Sequence, residues 1–198
     1  SIPPHNIAEI IDAASLLIDQ PDAGHDALMA LMKGPDFPTG GLLVDPPETI
    51  SEAYASGRGS LRLRARWHKE DEGRGAWIAV VDEIPYGLAK GKLIEQIAQL
   101  IADKRLPILA DVRDESDETL RIVLEPRART VDSEMLMDGL FHFTDLENRF
   151  ALNMNVLDAE HTPRVMGLHE LLTAWLVHQI DVLLRRAHHR IAQIDSRL

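Results

Sequence analysis

The stretch LRLRARWHKEDEGRGAWIAVVDEI, residues 61–84, decides the fold, because apolar and polar side chains alternate along two runs separated by a glycine-containing turn. Such alternation is typical of two antiparallel strands that form a hairpin. Side chains on a strand point alternately to its two faces, so the apolar members of the first run face a core and its arginines share the opposite face. The apolar residues are Leu61, Leu63 and Ala65, and the arginines are Arg62, Arg64 and Arg66.

Outside this hairpin, segments with apolar residues three and four positions apart alternate with further strand-like runs. The spacing predicts helices over 5–19, 25–33, 47–56, 88–104 and 132–142. Strands are predicted over 41–45, in a second hairpin formed by ILADVRDES (108–116) and TLRIVLEP (119–126), and in an extended run over 149–157. Strands in hairpins between helices predict an α+β fold, a mainly antiparallel sheet covered by helices on one face.

A long amphipathic helix is predicted over 168–198, where apolar residues keep the helical spacing to the last turn. No glycine, asparagine or proline follows Ile194 to end it. This pattern fits a helix that continues beyond the sequence. A terminal helix packed against its own domain fits the pattern equally well.

Composition limits the possible functions. The chain has 198 residues, a formal net charge of −11 and no cysteine, so disulfides and thiolate metal sites are excluded. No apolar run approaches the roughly 20 residues that a membrane-spanning helix needs. A reducing cytoplasm is the natural setting for such a chain.

The arginine ladder, defined as Arg62, Arg64 and Arg66, contrasts with this acidity. Arginines on one strand face are about 7 Å apart, close to the phosphate spacing along a nucleic-acid strand. Phosphate binding is therefore one interpretation. The other is cross-strand pairing with acidic residues, for which the candidates are Asp82, Glu83, Glu115 and Glu118.

Three further patterns carry weaker signals. The acidic turn DVRDESDE (111–118) could hold a divalent metal, but a hairpin needs polar residues at that place anyway. His178, His188 and His189 lack the HExxH spacing of a zinc site. GPDFPTGG (34–41) lacks the lysine of a phosphate-binding P-loop, so no ATP site is expected there.

Several short motifs together identify a family. In chain order they are IPPHN (2–6), GPDFPTGG (34–41), GRG (57–59), EIPY (83–86), RDESD (113–117) and NMN (153–155). As an ordered set they resemble the A subunit of bacterial type IIA DNA topoisomerases over nearly the whole chain. KRLPILADVRDES (104–116) and FTDLENRFALNMN (143–155) resemble the topoisomerase IV paralogue more than the gyrase paralogue.

The resemblance implies a bacterial cytoplasmic enzyme subunit that acts on nucleoid DNA. Such subunits cleave and reseal duplex DNA as homodimers, together with a B subunit that carries ATP and Mg²⁺. The family's Arg-Tyr nucleophile motif is absent, since the only tyrosines are Tyr54 and Tyr86. The resemblance therefore implies a part that holds DNA without cutting it, with no catalytic residue, metal or cofactor of its own.

Within that resemblance, 1–40 corresponds to linking helices, 41–165 to the tower domain and 166–198 to the start of the coiled coil. The basic residues expected to contact DNA phosphates are Arg58, Arg62, Arg64, Arg66, Lys69, Lys90 and Lys92. Two other hypotheses stay open on the residues alone. One is a protein-interaction or dimerisation module with a salt-bridged basic sheet face, and the other is a metal-dependent hydrolase that uses the acidic turn.

Overall fold

The computed structural model describes residues 1–197 and confirms an α+β fold. The helices are α1 (Ile7–Asp19), α2 (His25–Leu31), α3 (Pro47–Ser56), α4 (Lys90–Ala102), α5 (Ser133–Phe143) and α6 (Leu168–Asp195). The strands are β1 (Leu42–Leu43), β2 (Arg58–Arg64), β3 (Arg66–Gly73), β4 (Ala76–Glu83), β5 (Leu109–Asp114), β6 (Ile122–Pro126), β7 (Glu147–Asn153), β8 (Asn155–Leu157) and β9 (Pro163–Val165).

The chain divides into two compact units. The first contains residues 1–36, 46–60 and the chain from Ala151 on, and the second contains 37–45 and 61–150. Neither unit is one continuous stretch of sequence. The predicted assignment of 1–40, 41–165 and 166–198 to linking helices, tower and coiled coil remains a prediction about the family's architecture.

The first unit is built mainly from helices. α1 begins where it does because the Asn6 side chain accepts hydrogen bonds from the amides of Ala8 and Glu9. α1 contacts α2 and α6, with Ala13, Ala14 and Leu17 buried and Ile7, Ile11 and Ile18 exposed, and α3 contacts the same two helices. The phenol of Tyr54 on α3 is fully buried and lies 2.6 Å from Nε2 of His5. This hydrogen bond satisfies a polar group inside an otherwise apolar core.

Gly57 ends α3 in a left-handed conformation, with φ of 72°. A Cβ atom at this position would lie 2.2 Å from the carbonyl oxygen of Met166. Both the backbone angle and the close approach of the chain therefore require glycine here.

The second unit contains a four-stranded antiparallel sheet in the order β3-β4-β6-β5. One face of this sheet packs against α4 and α5. The buried residues of that core include Ala79 and Val81 from β4, Leu93 and Ile97 from α4, and Leu136 and Leu140 from α5. The second hairpin and the helical cover of one face are as the sequence predicts, and the first hairpin is formed by β3 and β4.

The other face of the four-stranded sheet has a small apolar strip of its own. Ile78, Val80 and Val123 are buried there, although no helix of the unit is part of their cluster. Charged side chains of neighbouring strands form ion pairs on this face. His68 pairs with Glu70 and Asp82, Arg121 pairs with Glu70 and Glu115, and Arg113 pairs with Glu115 and Glu125. We call these seven residues the sheet network.

The largest departure from the sequence-based prediction is the strand expected over 61–69. The structure breaks it at Ala65, so that β2 joins a three-stranded sheet in the order β1-β2-β7 and β3 joins the four-stranded sheet. The Ala65 amide donates to the carbonyl of Leu146, 2.7 Å away, instead of continuing either ladder. A register shift follows between Arg66 and Trp67. The continuous strand expected over 61–69 is therefore wrong, and the described residues form three sheets.

Smaller differences have local causes. The extended run over 149–157 is interrupted at Met154, whose amide donates to Gly57, and the short hairpin of β8 and β9 closes over a turn in which Asp158 accepts two amides. Most element ends differ from the predictions by one to three residues, because caps and turns, not apolar spacing, determine them.

α6 is buried only near its start, through Leu168 and Leu172. Its later apolar residues are exposed, among them Trp175, Ile180, Leu183 and Ile191. The terminal helix packed against its own domain, one of the two alternatives from the sequence, therefore describes only the first part of α6 among the described residues. The predicted final residue, Leu198, lies outside the described residues. None of the helices described for residues 1–197 combines the length and apolar character needed to span a bilayer.

Candidate nucleic-acid interface

The alternation predicted for the arginine ladder holds at the level of burial. Leu61, Leu63 and Ala65 are almost completely buried, while Arg62 and Arg64 are half-buried and Arg66 is exposed. The break at Ala65 separates the three arginines, however. Arg62 and Arg64 belong to the three-stranded sheet, and Arg66 opens the edge strand of the four-stranded sheet.

Arg62 is held by an acidic residue that precedes it on the chain. Its Nε atom lies 3.1 Å from Oδ1 of Asp45, and its backbone amide donates to the other oxygen of the same carboxylate. One guanidinium nitrogen also lies 3.9 Å from Oε1 of Glu147. Asp45 therefore fixes both the main chain and the side chain of Arg62.

Arg64 is paired more closely. Its Nε and Nη2 atoms lie 2.7 and 2.6 Å from Oε2 of Glu147, a carboxylate 83 residues further along the chain. The guanidinium carbon also lies 4.3 Å from the centre of the Phe141 ring. An ion pair and a cation–π contact together restrain this side chain.

Arg66 pairs with Glu83, as one of the sequence-based alternatives predicts, at 3.1 Å between Nε and Oε2. Glu83 also accepts the Gly41 amide at 2.6 Å. The Gly41 hydrogen bond first, and Arg66 second, lower the pKa of the Glu83 carboxyl below its usual value. Glu83 thus ties the end of the GPDFPTGG loop to β4. The neighbouring residue, Gly40, has to be glycine. Its φ is 73°, and a Cβ atom at this position would lie only 2.3 Å from Oε2 of Glu83.

The three predicted lysines have different surroundings. The Nζ atom of Lys69 lies 4.9 Å from the centre of the Trp77 ring. Lys90 pairs with Asp114 at 2.8 Å, and this pair is the largest cause of a pKa of about 2 for that carboxyl. Lys92 is exposed, and residues 1–197 offer it no carboxylate within ion-pair distance.

Arg58 lies in the first unit, directly after Gly57 and at the start of β2. Its side chain is exposed, and the described part of the chain gives it no acidic partner. Of the predicted phosphate contacts, Arg58 and Lys92 therefore have the least competition from carboxylates, whereas Arg62, Arg64, Arg66 and Lys90 are all paired.

Sequence reasoning missed three residues of this site: Asp45, Glu147 and Phe141. Glu147 lies 83 residues from Arg64. Asp45 lies 17 residues from Arg62, but the helix predicted over 47–56 stands between them and no hairpin pattern connects them. Of the other predicted partners, Asp82 pairs with His68, and Glu115 pairs with Arg113 and Arg121. The arginines of the ladder therefore do form ion pairs with carboxylates. Two of the three partners, Asp45 and Glu147, are not among the acidic residues that the sequence suggested.

The acidic turn uses its carboxylates to build the second hairpin. Asp114 accepts from Lys90 and from the Ser116 amide, and Asp117 accepts from the amide and hydroxyl of Thr119. The Thr119 contacts lower the pKa of Asp117. Over residues 1–197, no three histidine or acidic side chains come close enough together to hold a metal ion. His178, His188 and His189 are exposed on α6.

The comparison with known proteins identifies the class. The family that comprises the A subunits of DNA gyrase and topoisomerase IV matches residues 1–198, and the chain belongs to this family. The motifs that carry the resemblance in the sequence are therefore a correct guide.

The individual relatives narrow this assignment. The chain is 52% identical over its full length to the A subunit of DNA topoisomerase 4 from Caulobacter vibrioides and 48% identical to that from Rickettsia prowazekii. It is also 40% identical, over 199 aligned residues, to the A subunit of DNA gyrase from Chlamydia pneumoniae. The whole chain is matched each time, but only 26%, 27% and 24% of these relatives. The chain thus spans about a quarter of their length, and the predicted similarity to the topoisomerase IV paralogue is confirmed.

Proposed function

We propose that this chain is the part of a type II DNA topoisomerase A subunit that holds duplex DNA by its phosphate backbone. Family membership over residues 1–198 is the observation that carries the proposal. The relatives' names concern topoisomerases, enzymes that act on DNA. In the full-length protein, the activity is passage of one duplex through a double-strand break in another, which relaxes or decatenates DNA.

Exposed cations within an acidic chain support backbone contacts. A general nucleic-acid-binding protein is usually basic, whereas this chain has a formal net charge of −11. Phosphate binding therefore depends on individual side chains that carboxylates leave free. Arg58 and Lys92 meet this condition best, Lys69 and Arg66 follow, and Arg62, Arg64 and Lys90 contribute least in the paired state.

The same proposal assigns no strand cleavage to this chain. Nucleophilic attack on a phosphodiester needs an accessible tyrosine and nearby groups that stabilise charge. Tyr54 is fully buried, and burial raises the pKa of its phenol. Tyr86 is 39% exposed and packs against Phe37, with ring centres 5.5 Å apart. We expect no covalent adduct at either residue.

In the full-length protein, we expect a homodimer that works with a B subunit in the bacterial cytoplasm, on nucleoid DNA. ATP and Mg²⁺ would be bound by that B subunit. The assignment of residues 41–165 to a tower domain and of α6 to a coiled coil belongs to this proposal. The exposed apolar residues of α6 support it, because an unpaired coiled-coil helix presents such a stripe.

A second candidate function is a protein-interaction module whose arginines only stabilise the fold. The ion pairs of Arg62, Arg64 and Arg66 favour it. The two functions differ in one measurable property, the salt dependence of duplex binding.

Lys90 and Lys92 provide a matched test, because both lie on α4. Among the described residues, Lys90 forms an ion pair with Asp114 and Lys92 forms none. Fluorescence anisotropy with a generic duplex should show binding that weakens with salt. Lys92→Ala should reduce the magnitude of the log K against log salt slope by about 1, and Lys90→Ala by less. Absence of salt-dependent binding by the wild-type chain would favour the interaction module.

A further inference from the structure

Arg62, Arg64, Asp45 and Glu147 form a compact cluster with no net charge inside the second unit. Glu147 contacts both arginines, through Oε1 and Oε2 respectively. A phosphate that approaches these arginines meets two cations whose charge two carboxylates already offset. The most prominent basic feature of the sequence is therefore electrostatically masked in the folded chain.

We propose that Glu147 limits the affinity of this unit for duplex DNA by occupying Arg62 and Arg64 in place of a phosphate. The inference rests on the proposed function, since it concerns the same phosphate contacts. Glu147 acts on DNA binding only through the two arginines, so it is a positioning residue. Its carboxylate must turn away, or lose its charge, before the arginines can bind a phosphate fully.

The two carboxylates of the cluster differ in how firmly they are fixed. Asp45 also accepts the backbone amide of Arg62, and only 10% of its side chain is exposed. Within residues 1–197, the side-chain oxygens of Glu147 form polar contacts only with the guanidinium groups of Arg62 and Arg64, and its side chain is 18% exposed. Glu147 can therefore be displaced without breaking a main-chain hydrogen bond, whereas Asp45 cannot.

The arginines themselves are accessible enough to change partners. The side chain of Arg62 is 37% exposed and that of Arg64 is 31% exposed. Phe141 lies under the Arg64 guanidinium and would keep it in place when Glu147 leaves. A phosphate oxygen can then take the two nitrogens, Nε and Nη2, that now bind the carboxylate.

Counterion release gives the expected size of the effect. One additional phosphate contact steepens the log K against log salt slope by about 0.9, which corresponds to about eightfold tighter binding at 0.1 M salt. The gain must shrink as salt rises and vanish near 1 M. This convergence distinguishes a new phosphate contact from a general rise in affinity.

The test compares Glu147→Gln with Glu125→Gln in the 198-residue chain, using anisotropy with the same duplex at several salt concentrations. Both variants remove one negative charge, and Glu125 also pairs with an arginine, Arg113, at 2.6 Å. Glu125 lies in the sheet network, away from Arg62 and Arg64. We expect about eightfold tighter binding at 0.1 M salt for Glu147→Gln and less than twofold for Glu125→Gln.

The outcomes separate this inference from the proposed function. If the wild-type chain binds with a salt dependence and Glu147→Gln has the same affinity and slope, the inference fails and the function stands. Equal gains in both variants also overturn it, because net charge alone then explains them. If neither wild type nor Glu147→Gln binds, the function fails as well. Should Glu147→Gln not fold, Glu147→Asp offers the same test, since it keeps the charge but shortens the side chain that now reaches both guanidinium groups, and it must then show the gain.

Discussion

The second unit contains two groups of arginine–carboxylate pairs that differ in origin and in burial. The cluster of Arg62, Arg64, Asp45 and Glu147 joins distant parts of the chain, and its carboxylates are mostly buried. The sheet network joins neighbours on four adjacent strands and the turn between β5 and β6, and its side chains are 35–48% exposed. Similar pairs therefore have different roles: the first group couples segments of the fold, and the second covers an apolar strip on a sheet face.

The largest effect expected from this difference is on stability. Arg64→Ala leaves the Glu147 carboxylate without its closest cation and removes the contact with Phe141. Breaking such a partly buried pair should lower the free energy of unfolding by about 1–3 kcal/mol. Urea unfolding followed by circular dichroism measures it.

Arg113→Ala is the control, because it removes an arginine of the sheet network that has two carboxylate partners, Glu115 and Glu125. Exposed pairs contribute little, so its effect should be clearly smaller. Equal losses in the two variants would show that burial does not distinguish the two groups.

The sequence predicts which residues of the strands are buried, but it does not predict the break at Ala65. Alternation correctly places Leu61, Leu63 and Ala65 inside, and Glu83, one of four candidate acidic partners of the ladder, does pair with Arg66. It does not reveal that Ala65 leaves the ladder to bond with Leu146. That bond depends on a segment some 80 residues away on the chain, and local periodicity contains no information about it.

At the candidate DNA-binding site, too, tertiary contacts decide what the sequence pattern leaves open. The basic residues are evident from the sequence, but their charge state in the fold depends on Asp45 and Glu147, which tertiary packing brings to them. The family motifs, in contrast, serve the fold: Asn6 of IPPHN caps α1, Asp114 and Asp117 of RDESD shape a turn, and Glu83 of EIPY accepts the Gly41 amide of GPDFPTGG. Motifs that are evident in the sequence can therefore identify a family without themselves forming a binding site.

An effect of intermediate size is expected in DNA binding. The side chain of Arg66 is 54% exposed, more than those of Arg62 and Arg64, and its one ion pair within residues 1–197, to Glu83, leaves it freer to meet a phosphate. Arg66→Ala should lower the magnitude of the salt slope for duplex binding by up to about 0.9, less than Lys92→Ala, because Glu83 competes with the phosphate. Arg113→Ala, with the same change in net charge, should leave the slope as it is. A wild-type slope for Arg66→Ala would remove this arginine from the DNA path.

The smallest effect concerns the sheet network and depends on pH. His68 lies 2.9 Å from a carboxylate oxygen of Glu70 and 3.2 Å from one of Asp82. The hydrogen bond to Glu70, followed by the contacts with Asp82, raises the pKa of the His68 imidazole above its usual value, although burial acts in the opposite direction. The protonated form is therefore stabilised in the folded chain.

A raised pKa in the folded state means that this stabilisation is complete below the unfolded value of about 6.5 and is lost as pH rises through the folded value. Wild type should therefore exceed His68→Gln in unfolding free energy by more at pH 6 than at pH 8. The difference should stay below about 1 kcal/mol, since His68 is nearly half exposed and solvent screens its pairs. Urea unfolding of both proteins across this pH range measures the difference, and the other histidines, common to both, cancel. A difference that grows with pH would show that His68 is stabilised in its neutral form, and the sheet network would then need another explanation.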